Sequence, residues 1–207
     1  MHMTPFHQAS AQRGYSLLEV LITMFIIAIG LLGLAGLQAR ALNAEIEAAS
    51  RGQAMLLVND LADRMMANLS AVKNPSGAST YDMTGTTYGT GYTNTCVSSN
   101  STSLSGQASC CANKSTTAEA DLCEWDLALK GIGESSGSAN KIGAMAQARG
   151  CVFLKDATNR IYEIDVVWQG RDSTGALPSD LTCGSTAITA QRRGVSRRFR
   201  VADLDGT

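Results

Sequence analysis

The side chains whose types invite a chemical reading are two histidines, six cysteines and one carboxylate set inside an apolar run, Glu19. Both histidines, His2 and His7, precede Gly14. A chain cut after that glycine keeps no imidazole, so Ser-His-Asp and Cys-His nucleophile activation and His-ligated zinc are lost with the leader. No spacing offers a lysine or carboxylate mechanism instead. Catalytic residues are therefore not expected, and no cofactor is.

The cysteines stand at Cys96, Cys110, Cys111, Cys123, Cys151 and Cys183, outside the apolar run. An even number in an exported region suits disulfides in an oxidising compartment, with the pairing left open. There is no C-x-x-C pair, and the adjacent Cys110 and Cys111 are poorly spaced for a tetrahedral site, so no metal is expected. The run Asp203-Leu204-Asp205-Gly206 opens like a calcium loop but lacks the later ligands, and no calcium site is expected there.

Charge narrows the partners. With 17 Lys+Arg against 18 Asp+Glu over 207 residues, the chain as a whole has no electrostatic footprint for nucleic acid. The basic cluster is Arg192, Arg193, Arg197, Arg198 and Arg200. On a strand Arg198 and Arg200 share one face and Phe199 takes the other, without the interleaved aromatics of a single-strand platform. A solvated edge guarded by charge, or a contact to acidic subunits, is expected in preference to DNA binding.

Leu17 to Leu37 is apolar apart from Thr and Gly positions and Glu19, long enough to cross a bilayer as a helix. The fourteen residues before Tyr15 contain no Asp or Glu and end in Arg13-Gly14, which the positive-inside bias holds in the cytoplasm. A secretory signal has its small-residue cleavage site after the apolar stretch. Here the small residue comes first, so cleavage after Gly14 retains the helix and creates a new amine at Tyr15. Glu19 costs roughly 2.5 kcal/mol or more if centred in lipid, and pairing with that amine, in its own or a neighbouring chain, offsets the cost. Gly30, Gly33 and Gly36 recur every third residue, each at about 1 kcal/mol of helix propensity relative to Ala; close helix packing or a local bend accounts for them.

Gly14-Tyr15-Ser16-Leu17-Leu18-Glu19-Val20-Leu21 resembles the processing motif of type IV pilins and type II secretion pseudopilins. The resemblance implies that a membrane aspartic prepilin peptidase cleaves after Gly14 and methylates Tyr15, and that Glu19 guides subunits into a filament. The run from Ala28 to Gln38 is similar to the minor pilins of the PilV family. That implies an inner-membrane, single-pass protein with its C-terminal domain in the periplasm, later carried to the pilus or cell surface. Implied partners are other minor pilins, the major pilin, the peptidase and the inner-membrane assembly platform. The implied role is in an initiating or tip complex supporting pilus assembly, adhesion or twitching motility. A secretion pseudopilin is the alternative, and a DNA-uptake receptor a more distant one.

Three segments follow: a leader over 1–14, a long helix over 15–73 whose half at 15–38 serves membrane and assembly, and a domain over 74–207. The helix is expected to continue past the lipid with an apolar stripe of Leu42, Ile46, Ala49, Leu57, Leu61, Met65 and Leu69 against a globular core, and to stop at Asn74-Pro75. Glu47-Arg51 and Asp60-Arg64 are spaced as i,i+4 pairs. Residues 76–118, rich in Ser, Thr, Gly and Asn with Tyr81, Tyr88 and Tyr92 among them, read as a long surface loop with possible short strands. Thr116 to Glu119 has capping-box spacing before Leu122, Trp125 and Leu129. Cys151 to Leu154 and Ile161 to Trp168 read as a hairpin turning at Asp156 and Asn159, with a third strand over Ser196 to Ala202. The expected class is α+β, type IV pilin-like, a long N-terminal helix packed on an antiparallel sheet. Glu124-Trp125, Val166-Val167-Trp168 and Arg197-Arg198-Phe199-Arg200 also match the PilV pattern.

Overall fold

Ser16 starts the first helix: its carbonyl accepts from the amides of Glu19 (3.0 Å) and Val20 (3.3 Å), and its Oγ from that of Leu18 (3.4 Å). The computed structural model describes residues 16–73, 81–82, 85–92, 111–132, 135–136, 140–141, 145–173 and 177–202. Helix α1 spans Leu17–Ala67, and α2 follows at Leu69–Lys73. The chain divides into two compact units, residues 1–45 and 46–207, with the boundary inside α1.

The single helix expected through to Asn74 is interrupted at Asn68. Its side chain competes for local hydrogen bonds, accepting from Ser70 Oγ (3.1 Å) and donating to Tyr81 Oη (3.2 Å). The expected stop at Asn74-Pro75 lies outside the described residues.

The second unit is a sheet with helices on one face. Strand β1 (Tyr88–Gly89) is followed by helix α3 (Thr117–Leu129), a two-residue pair β2 (Ser135–Ser136) and β3 (Asn140–Lys141), then β4 (Arg149–Asp156), β5 (Ile161–Gln169) and β6 (Arg192–Arg200). The main sheet has the order β1-β4-β5-β6 and is antiparallel throughout. The β4–β5 hairpin forms as expected. Asp156 closes its turn, accepting from the Asn159 backbone amide (2.9 Å) and side-chain amide (2.7 Å). Strand β6 begins at Arg192, four residues before the expected start, and pairs with β5 from Gln169↔Arg192 to Ile161↔Arg200.

Alternation along β5 assigns the layers. Tyr162, Ile164, Val166 and Trp168 face a core shared with Val58, Leu61 and Met65 of α1 and Leu122, Trp125 and Leu129 of α3. Thr116 caps α3 as its spacing suggested, its Oγ1 accepting from the Glu119 amide at 3.2 Å. Trp125 is the centre of this core. It is fully buried, its Nε1 donates to the Leu57 carbonyl of α1 at 3.0 Å, and its ring lies over Gly150 of β4. A Cβ at Gly150 would stand 2.2 Å from Trp125 Cη2, so only glycine admits the indole so close to the sheet.

The stripe expected along α1 holds from Leu57 to Leu69, where Leu61 and Met65 enter the core and Leu57 and Leu69 pack against it, and fails before that. Leu42, Ile46 and Ala49 are exposed, Leu57 and Leu69 are half-buried, and the buried positions are Ala54, Val58, Leu61, Ala62 and Met65. Above Ala54 the inward face is polar. It carries Ser50 and Glu47, and Glu47 pairs with Arg193 of β6 at 3.0 Å rather than with Arg51. Asp60 and Arg64 do pair, at 3.0 Å, and Arg64 also reaches Glu124 (2.6 Å) and Asp121 (3.5 Å) on α3.

The expectation of a surface loop over 76–118 is corrected where it is described. Tyr81 is fully buried and donates its hydroxyl to Asp121, and Tyr88 is buried against Trp125. Gly89, at φ +88°, gives its amide to the buried Asp126 (2.7 Å), whose other oxygen accepts from Lys130 Nζ (2.5 Å). These tyrosines supply core area that their Ser- and Gly-rich surroundings concealed.

Candidate functional site

The first unit offers an apolar helix surface with one acid in its first turn. The stretch of α1 that is long and apolar enough to cross a membrane has none of its residues buried among the described residues. Leu17, Leu21, Phe25, Ile29 and Leu32 are all more than half exposed. The hydroxyl of Thr23 turns back on the helix, donating to the Val20 carbonyl at 2.9 Å, so it adds little exposed polarity. Glu19 is in the first turn, where the positive end of the helix dipole favours a carboxylate. The backbone is thus internally satisfied and the surface apolar, as a bilayer or a packed helix bundle requires.

At Gly30, Gly33 and Gly36 an added Cβ would meet nothing within 4 Å. Among the described residues no close approach demands these glycines, and α1 is helical throughout them.

Gly14 and Tyr15 lie outside the described residues, as do Cys96 and Cys110. The other four cysteines form Cys111–Cys123 and Cys151–Cys183. The first ties the turn preceding α3 to α3 itself. The second joins β4 to the segment after β5, closing a separation of 32 residues, for which chain entropy alone gives about 3–4 kcal/mol. Among the described residues no group of three His, Cys, Asp or Glu side chains is placed to hold a metal.

β6 is an edge strand of the main sheet and Arg198 and Arg200 are exposed on it, as expected of an edge guarded by charge, but Arg192, Arg193 and Arg197 are engaged within the chain. Arg192 donates to the Cys183 carbonyl (2.7 Å), Arg193 to Glu47 (3.0 Å) and the Asp172 carbonyl (3.1 Å), and Arg197 to Asn59 Oδ1 (2.8 Å). Arg198 pairs with Glu163. Ser196, Arg198 and Arg200 are the exposed positions of the strand and Phe199 the half-buried one, as alternation requires. Most of this charge fastens β6 to α1 and to the loops beside it.

Sequence reasoning missed the outer face of the sheet. Glu163 and Asp165 occupy positions that alternation assigns to the side away from the helices, where solvent is the default, yet they are 4% and 0% exposed. The signal lay in Cys183: its partner Cys151 faces outward on β4, so the disulfide draws Leu181 and Cys183 over that face, against Val167.

Residues 9–35 match the model of the prokaryotic N-terminal methylation motif. The match takes in Gly14, Tyr15, Glu19, Gly30 and Gly33 and ends one residue before Gly36. No curated protein and no solved structure matches the chain significantly.

Proposed function

We propose, for a chain carrying a prepilin-type methylation motif on a pilin-like α+β architecture, that it is a minor pilin of a type IV pilus system. In this proposal it joins an initiating or tip complex and supports pilus assembly, adhesion or twitching motility. The motif supports a type IV pilin or pseudopilin in general, implying processing by prepilin peptidase and assembly with pilus machinery. Motif and apolar helix together fit a membrane-anchored, structural protein rather than an enzyme.

The observation that carries the proposal is the wholly exposed apolar half of α1 with Glu19 in its first turn, inside the motif match. Cleavage after Gly14 would leave the Tyr15 amine four residues before Glu19, and the two neutralise each other once helices pack away from water. Other minor pilins, the major pilin and the inner-membrane assembly platform are the proposed neighbours, with the sheet domain in the periplasm. Minor-pilin identity rests on the Ala28 to Gln38 run and the Val166-Val167-Trp168 end of β5.

Deletion of the gene is expected to reduce pilus number and twitching. Normal pili with lost exoprotein release would make the protein a secretion pseudopilin instead. Glu19→Val is expected to leave cleavage intact while incorporation into sheared filaments falls at least about a hundredfold, the scale of leaving one partner of a buried ion pair alone. Unaltered incorporation on quantitative blotting would show that the charge is not needed.

A further inference from the structure

Asp165 has no structural explanation so far. It lies in the middle of β5 with no exposed surface, and neither carboxylate oxygen has a partner in full hydrogen-bonding geometry, although the Ser196 hydroxyl opposite is near enough to favour the charged form. Asp126 is equally buried but uses both oxygens, on the Gly89 amide and on Lys130. A native buried carboxylate normally has such partners, because leaving it bare costs several kcal/mol when charged.

Its surroundings come from four elements. Cys151 of β4 and Ser196 of β6 stand opposite it in the ladders. On β5 itself Glu163 shares its face and is held by Lys155 of β4 and Arg198 of β6. Over this face lies the segment 177–190, with Leu181 and Cys183 packed on Cys151 and Val167, and with Asp180 contributing a further negative charge. The packing is close: a Cβ at Gly194 would stand 2.5 Å from Leu181 Cδ2. A cavity of about 250 Å³ is lined by Asp180 and Leu181 of this segment together with Glu163, on the same face of β5 as Asp165, and Ser196, opposite Asp165 on β6. The segment's backbone hydrogen bonds include turns within itself, such as Leu181 to Pro178 and Ile188 to Gly184.

We propose that residues 177–190 form a pH-responsive cover, closed over Asp165 when its carboxyl is neutral and loosened when it ionises, with the Cys151–Cys183 disulfide keeping the loosened cover tethered. Ionisation places a poorly partnered charge beneath the cover, and water entering as the cover lifts supplies the hydrogen bonds that the protein does not. Burial pushes the Asp165 pKa up to about 6; Glu163 and Asp180 add to the rise, while Ser196 and Lys155 oppose it. An exposed carboxyl titrates near about 3.9, so closure is fully favoured below that value and is lost as pH rises through about 6. Glu163 shifts the other way: burial works to raise its pKa, but Lys155 and Arg198 outweigh it and hold Glu163 below the ordinary carboxylate value.

The test is hydrogen exchange on the full chain in detergent, read at the amides of Leu181, Ser185 and Ile188 with α3 as internal reference. Corrected for intrinsic rates, cover opening is expected to rise on the order of twentyfold between about pH 4.5 and about pH 7.5. Asp165→Asn should abolish the rise. An equal rise in that variant, or none in the parent protein, overturns the proposal. Should Asp165→Asn not fold, Ser196→Ala serves: removing the hydroxyl that favours the charge must move the midpoint upward, and an unmoved midpoint contradicts the proposal.

Discussion

A Gly14→Val variant is expected to accumulate in the membrane as a precursor retaining its first fourteen residues. Glycine alone lacks a Cβ, so the peptide before Tyr15 lies open to a protease working at the membrane face. Valine restricts the backbone and places a branched side chain against the bond to be cut. Cleavage is expected to fall at least about a hundredfold, the effect of a misplaced reacting geometry. Because Leu17 to Leu37 is unchanged, the variant still inserts, and the readout is a slower band on immunoblot with the leader peptide intact. A product of normal size would remove Gly14 as the processing site.

Trp125→Ala is expected to cost about 3–5 kcal/mol, the range for emptying a buried aromatic site. The indole is the side chain that α1, α3 and β4 share: it donates to Leu57, stacks edge-on to Tyr88 and covers Gly150. Its loss leaves a cavity no neighbour can fill without backbone movement, because Gly150 has no side chain to offer. Small domains hold about 5–15 kcal/mol in total, so the variant should be close to unfolding at physiological temperature. Gly150→Ala attacks the same contact from the other side, and about 1–3 kcal/mol is expected from the overpacking. Urea titration of the detergent-solubilised protein measures both. A loss below about 1 kcal/mol for Trp125→Ala would mean that the core is not organised on this residue.

What could be read from the sequence was local. Thr116 and Glu119 make a cap because they are three residues apart. The β4–β5 hairpin follows from alternation on either side of Asp156 and Asn159. The apolar run from Leu17 identifies itself by length. Features set by distant partners could not be read in this way. Leu42, Ile46 and Ala49 look like a core stripe because they are apolar, but the inward face beside Ile46 and Ala49 holds Glu47, which pairs with Arg193, far along the chain. Tyr81 sits in a stretch whose composition suggests solvent, and Asp121 on α3 gives it a buried partner. Asp165 falls at an outward position of a strand, and its burial depends on a disulfide whose pairing spacing does not determine. For the candidate site the position was legible and the partners were not, since among the described residues none covers Glu19 or the glycines.

The central claim is that the chain is processed at Gly14 and keeps its apolar helix for membrane anchoring and assembly. Mass spectrometry of the N-terminal peptide, recovered from membranes of cells that retain their own peptidase, tests it most directly. The account predicts a peptide beginning at Tyr15, heavier by one methyl group on its amine. A peptide beginning at Met1, or one beginning beyond Leu37 with the apolar run removed, would contradict it.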